Sequence, residues 1–136
     1  MYRNGVRVAA AAALVAAIGM FGVRAPNAQT ASFKRIVLQE AELSVPGREA
    51  VQVRAEFEPR AAAGRHTHPG EEIGYVIRGT VELRVDGREP ITLHAGDHFM
   101  IPKDVAHDAR NVGNDNAVVL STYIVEKGKP IATTVK

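Results

Sequence analysis

Short apolar runs with a two-residue period, cut repeatedly by turn residues, leave this chain few folds to adopt. Val51, Val53, Ala55 and Phe57 alternate with Gln52, Arg54 and Glu56, and Val81, Leu83 and Val85 alternate with Glu82, Arg84 and Asp86. Successive side chains on a strand point to opposite faces, so each run predicts a half-buried strand. Residues 73–77, 91–93, 99–101 and 117–125 are further apolar runs rich in β-branched residues. Pro46-Gly47, Pro69-Gly70, Asp86-Gly87, Gly96-Asp97 and Gly113-Asn114 punctuate them as turns. After about residue 30 no helical period persists over a useful window. The pattern predicts an all-β sandwich or barrel. Residues 117–123 are apolar on both faces, which suits a strand inside the barrel or at an interface between two copies. Residues 128–136 read as a short loose tail.

The first thirty residues differ. Arg3 and Arg7 precede an uncharged, Ala-rich run over residues 8–23, followed by small and polar residues. A basic start, a short apolar stretch and a small-residue exit describe a secretory signal peptide, and the run is short against the roughly 20 residues a spanning helix needs. The reading is a signal peptide over residues 1–28, cleaved between 25 and 31, and one domain over 29–136, the alternative being a leader retained as an uncleaved membrane anchor. It places the mature protein in a periplasm or outside the cell. Export removes Arg3, Arg7 and Arg24, so 17 basic residues become 14 against 15 acidic ones. That balance, with 5% aromatic residues, gives no reason to expect a nucleic-acid partner. Once the leader is cleaved, no membrane partner is expected either.

With no cysteine, disulfides and thiolate-bound metals are excluded. Histidine takes their place. All five histidines lie between positions 66 and 107. His66 and His68 are two apart, so on a strand both imidazoles share a face. Glu72 follows a Pro-Gly turn, and His107 lies downstream of a second apolar run. Three imidazoles and a carboxylate form a donor set suited to Fe, Mn, Ni, Cu or Zn, with room left for water or substrate.

These residues carry a resemblance. Residues 65–79, RHTHPGEEIGYVIRG, place His66, His68, Glu72 and Gly79 at the spacing of the first cupin motif. Residues 96–111, GDHFMIPKDVAHDARN, place Gly96, Pro102, His107 and Asn111 at that of the second. Two positions depart from the pattern: Arg60 and Asp104 stand where the motifs usually carry glycine. The chain thus resembles small single-domain cupins, including the quercetin-dioxygenase-like ones. That resemblance implies a double-stranded β-helix (a jelly-roll barrel), a metal held by His66, His68, Glu72 and His107, and pairing of two copies through an edge strand. It is compatible with an oxygenase using Fe(II) or Mn(II) on a small oxygen-chelating molecule, with Glu72 as a general base if its pKa is raised. A non-catalytic module for a metal or small ligand, and a metal-dependent sugar-acid isomerase or epimerase, use the same donors. No substrate-specific motif chooses among them.

Other residues compete for roles. Glu71 adjoins Glu72, but strand alternation turns it to the opposite face. His98, Tyr75 and Met100 are candidates to line a cavity, His94 reads as solvated beside a turn, and Arg78, Arg84 and Arg88 read as a solvated face.

Overall fold

The computed structural model describes residues 31–136, so the signal peptide read over residues 1–28 lies outside the described residues. Alternation becomes strand wherever it was read. The elements are β1 (Phe33–Glu42), β2 (Arg48–Phe57), β3 (His66–Thr67), β4 (Gly70–Arg78), β5 (Thr80–Val85), β6 (Ile91–His94), β7 (His98–Ile101), β8 (His107–Asn111), β9 (Ala117–Glu126) and β10 (Thr133–Thr134). They form two five-stranded sheets, β1-β2-β9-β4-β7 and β10-β3-β8-β5-β6. Every pairing is antiparallel. The sheets face each other as a jelly roll.

Strands β1 and β8 carry no clear apolar period, each for a physical reason. β1 is an edge strand whose far half is exposed, so burial imposes no alternation there. β8 does alternate, but its inward residues include His107 and Asn111 rather than aliphatic ones.

Strand β9 lies at the centre of the first sheet, between β2 and β4. Its inward residues Ala117, Val119, Ser121, Tyr123 and Val125 are buried, and the residues between them only half so. The run over residues 117–123 is therefore a barrel strand. Two apolar clusters meet along it. Ala117 and Val119 join Phe57, Val76, Val81, Leu83 and Ile101, whereas Tyr123 and Val125 join Val51 and Val53. Ser121, the polar inward residue, stands between them.

Tight turns close the strands. Gly79 has φ +84°, and a Cβ there would lie 2.8 Å from Cα of Ala117, so the second sheet can leave β4 only at a glycine. Asn111 acts as a buried clamp. Its Nδ2 donates to the carbonyls of Phe57 (3.1 Å) and Asp115 (2.8 Å), and its Oδ1 accepts from the Gly113 N–H (2.9 Å). Asn111 is thus structural.

The tail expected over residues 128–136 is not loose. Thr133 and Thr134 pair with β3, and the Val135 N–H donates to the Arg65 carbonyl at 3.1 Å. Polar residues here concealed a strand that exists only through its partner.

Arg60 and Asp104, the two departures from the motif pattern, have φ of +70° and +61°. The turns keep the left-handed geometry without the glycine, which costs an L-residue about 1–2 kcal/mol, less for Asp. Each turn is held elsewhere: the Arg60 N–H donates to the Asn111 carbonyl, and the Asp104 N–H donates to the His68 carbonyl at 3.0 Å. Because glycine brings its own entropic cost, Arg60→Gly is expected to raise stability by up to about 1 kcal/mol, and Asp104→Gly by less. Urea midpoints at constant m-value check this, and a drop for Arg60→Gly would contradict the strain.

Candidate metal centre

The period-2 rule brings His66, His68 and His107 together from two segments. His66 and His107 are cross-strand partners on β3 and β8, and His68 follows two residues after His66. One nitrogen from each ring lies within 4.8 Å of the others, and all three residues are buried. Glu72 comes from the opposite sheet, on β4, and is 5% exposed. Its Oε2 is 3.1 Å from Nε2 of both His68 and His107.

The outer nitrogens explain this convergence. Nδ1 of His66 donates to the Gly64 carbonyl at 2.5 Å, and Nδ1 of His107 to that of Val105 at 2.9 Å. Nδ1 of His68 donates to the Ile131 carbonyl. A ring whose Nδ1–H is committed to a carbonyl presents a lone pair at Nε2. Two such lone pairs facing a carboxylate oxygen repel unless a proton or a metal cation lies among them. His68 Nε2 is buried with no hydrogen-bond partner, an orphan that native interiors seldom keep. The donor set therefore fits a divalent transition ion, held by Nε2 of His66, His68 and His107 together with Glu72.

Glu72 is secured on its other oxygen. Ser121 Oγ donates to Oε1 at 2.7 Å. Burial by itself would raise the Glu72 carboxyl, but its contacts with His107, His68 and the Ser121 hydroxyl outweigh burial and hold it below the ordinary carboxylate range. The lowered carboxyl is the ionised form in which a carboxylate can ligate a metal. Tyr123 packs against His68 with ring centroids 4.5 Å apart and planes tilted by 54°. Burial, reinforced by the charge of Glu72, pushes its phenol above the usual value, so it stays neutral.

Of the converging donors, His66, Glu72 and His107 line a cavity. Phe33, Phe57, Leu83 and Phe99 supply apolar wall. Gly74 makes room for the Phe99 ring, whose nearest atom would lie 2.1 Å from an added Cβ.

The Cupin domain family profile matches residues 53–123, more than half of the chain. The chain belongs to the cupin family. A curated relative, "Polyketide synthase CurC" of Streptomyces cyaneus, is 42% identical over 60 residues, which are 43% of this chain and 38% of that protein. The chain thus spans well under half of that relative. Among solved structures, an oxalate oxidase in complex with the substrate analogue glycolate is 26% identical with a TM-score of 0.57, over 63% of this chain and 46% of that one. A Klebsiella pneumoniae protein with a double-stranded β-helix domain aligns over 82% of this chain and 91% of its own, with a TM-score of 0.62 and 23% identity. The last shares the fold.

For this cupin, the four residues singled out as ligands lie together, and the competitors lie apart. Glu71 faces outward on β4, and His94 is exposed beside Asp97, 3.8 Å away. His98, Tyr75 and Met100 do not line the site. Tyr75 pairs with His98 and Ile73 with Met100 on the outer face of the first sheet, where Tyr75 and Met100 are 49% and 57% exposed. One-residue register decides this: the inward positions of β4 and β7 are the other set.

Three nearby residues escaped the sequence reading. Ser121 had a signal, being the one polar residue among the inward positions of β9. Tyr123 looked like any core aromatic. Arg35, on the edge strand β1, had none, and its Nη2 lies 3.2 Å from Nε2 of His66.

Burial pulls the His66 imidazole down to about 4, assisted by His107, His68 and Arg35 and opposed by its bond to Gly64. Since the unfolded value is about 6.5, the metal-free fold holds this contribution fully above pH 6.5. It loses it progressively as pH falls towards about 4. Chelator-treated protein should melt at falling temperature across that window, with a shallower slope for His66→Gln. Equal slopes would contradict the depressed value.

Proposed function

We propose that this cupin is an exported, metal-dependent oxygenase acting on a small oxygen-chelating organic molecule. Nε2 of His66, His68 and His107 and a carboxylate oxygen of Glu72 would hold Fe(II) or Mn(II). The observation that carries the reading is the orphaned His68 Nε2 within a buried set of four converging donors, of which His66, Glu72 and His107 line a cavity. The glycolate complex of the similar oxalate oxidase supports a small oxygen-bearing ligand.

The bound ion would supply Lewis acidity and, being redox-active, a route to dioxygen. The chain supplies the rest. The carbonyls of Gly64, Val105 and Ile131 fix three imidazoles with Nε2 aimed inward. Ser121 occupies Oε1 of Glu72, which leaves Oε2 towards the histidines. Phe57, Leu83 and Phe99 exclude bulk water from one side of the cavity. Glu72 serves as ligand and not as base.

Export rests on the leader composition alone. A homodimer is supported by the outer face of the first sheet, where Ile73, Tyr75, Ile77 and Met100 are about half exposed.

Metal analysis of the purified mature protein, with oxygen uptake across a panel of diketones, flavonols and catechols, tests the proposal. Near-stoichiometric Fe or Mn is expected in the wild type, falling about tenfold or more in His66→Ala and His107→Ala. Retention of metal by both variants would displace the site. Full metal occupancy without uptake on any compound would reduce the protein to a binding module, and turnover without oxygen would make it an isomerase.

A further inference from the structure

Among the described residues, one arginine lines the cavity without a direct ion pair. Arg35 pairs with Ala55 and Phe33 with Phe57, and both partners are core residues, so Arg35 lies on the inward register of β1. Its guanidinium lines the same cavity as His66 and Glu72. Cζ lies over the Phe33 ring, 4.8 Å from its centroid, a cation–π contact. Among the described residues Arg35 forms no ion pair. Its Nη2 donates instead to Nε2 of His66 at 3.2 Å, the nitrogen assigned to the metal.

We infer that Arg35 is the substrate-recognition group of this centre, and that the substrate is a small monoanion with an apolar body. The inference rests on the metal reading above. A nitrogen that ligates an ion has no lone pair left for Arg35, so metal loading releases the guanidinium donor beside the ion. A half-buried, unpaired guanidinium next to a cation is costly unless an anion answers both. A carboxylate or enolate does so, because one oxygen can face the ion while another accepts from the guanidinium. The remaining wall sets the rest of the molecule. Phe33, Phe57, Leu83 and Phe99 are apolar, and Ser121 is already committed to Glu72. No second lysine or arginine lines the cavity, so a dianion would leave one charge unanswered.

An inward charge on an edge strand also guards against edge-to-edge pairing. That role asks only for a charge and is met equally by lysine. It accounts neither for the cation–π contact with Phe33 nor for the contact with His66. Recognition of a planar oxyanion depends on the guanidinium fork, which lysine lacks.

Calorimetry on Zn(II)-loaded protein, where no redox turnover intervenes, separates the two. The ligands are 4-methyl-2-oxopentanoate, its neutral amide and oxalate. The proteins are wild type, Arg35→Lys and Arg35→Met, each checked for metal content and melting temperature. The wild type is expected to bind the acid about tenfold or more tighter than the amide, and no less tightly than oxalate. Both variants should lose about tenfold or more for the acid and keep amide affinity, metal content and melting temperature. If Arg35→Met fails to fold, Arg35→Lys decides by itself. Three results on metal-loaded protein overturn the inference alone: no binding of the acid by wild type, equal binding of the acid by wild type and the folded variants, or acid and amide binding alike. Tighter binding of oxalate removes the apolar body from the proposal. A wild type that takes up no metal overturns the metal centre, and this inference with it.

Discussion

Three imidazoles and a carboxylate buried between two sheets are the constraint on which this structure turns. Apolar surroundings penalise every unpaired polar atom and every lone charge. The fold meets the penalty on the outer side by giving each Nδ1–H a backbone carbonyl, from Gly64, Ile131 and Val105. It meets it at Glu72 with the Ser121 hydroxyl. What remains is a set of inward lone pairs and a carboxylate oxygen at 3.1 Å from two of them. A divalent cation would complete that arrangement.

The scaffold follows from the same need. The histidines come from the second sheet and its loop, while Glu72 and Ser121 come from the first, so the site exists only when the sheets face each other. Asn111 joins the end of β8 to the turns after β2 and β8, which stabilises the strand carrying His107. Asp104 donates to the His68 carbonyl despite a left-handed backbone. The C-terminal segment pairs with β3 and lends His68 its carbonyl partner, so the last residues support the site.

The cavity above the donors gives the fold its chemical bias. Its aromatic and aliphatic walls lower the local dielectric, which strengthens the interactions of whatever charge it admits. Arg35 is the one positively charged side chain that reaches into it from the edge strand. Cupins host many chemistries on this barrel, so the cavity lining, not the fold, must carry the choice of ligand.

Much of this was legible without coordinates, because two regularities are local. Alternation marks a half-buried strand wherever one face is dry, as at Val51–Phe57 and Val81–Val85. Fixed spacing marks candidate donors where the backbone geometry is fixed, as with His66, His68, Glu72 and His107. The backbone at Arg60 and Asp104 was not legible, since the residues depart from the motif and only the structure shows that the turns keep a positive φ. Register, edge position and long-range pairing are not local. Tyr75, His98 and Met100 faced outward because the inward set of β4 and β7 was the other one, a choice of phase that composition leaves open. Arg35, the Ile131 carbonyl and strand β10 joined the site only through partners tens of residues away. The amino-acid sequence by itself determined which side chains can hold a metal and how the strands must alternate. The tertiary structure alone decided which cation shares their cavity, because sheet pairing, not sequence proximity, sets what lies across from a strand.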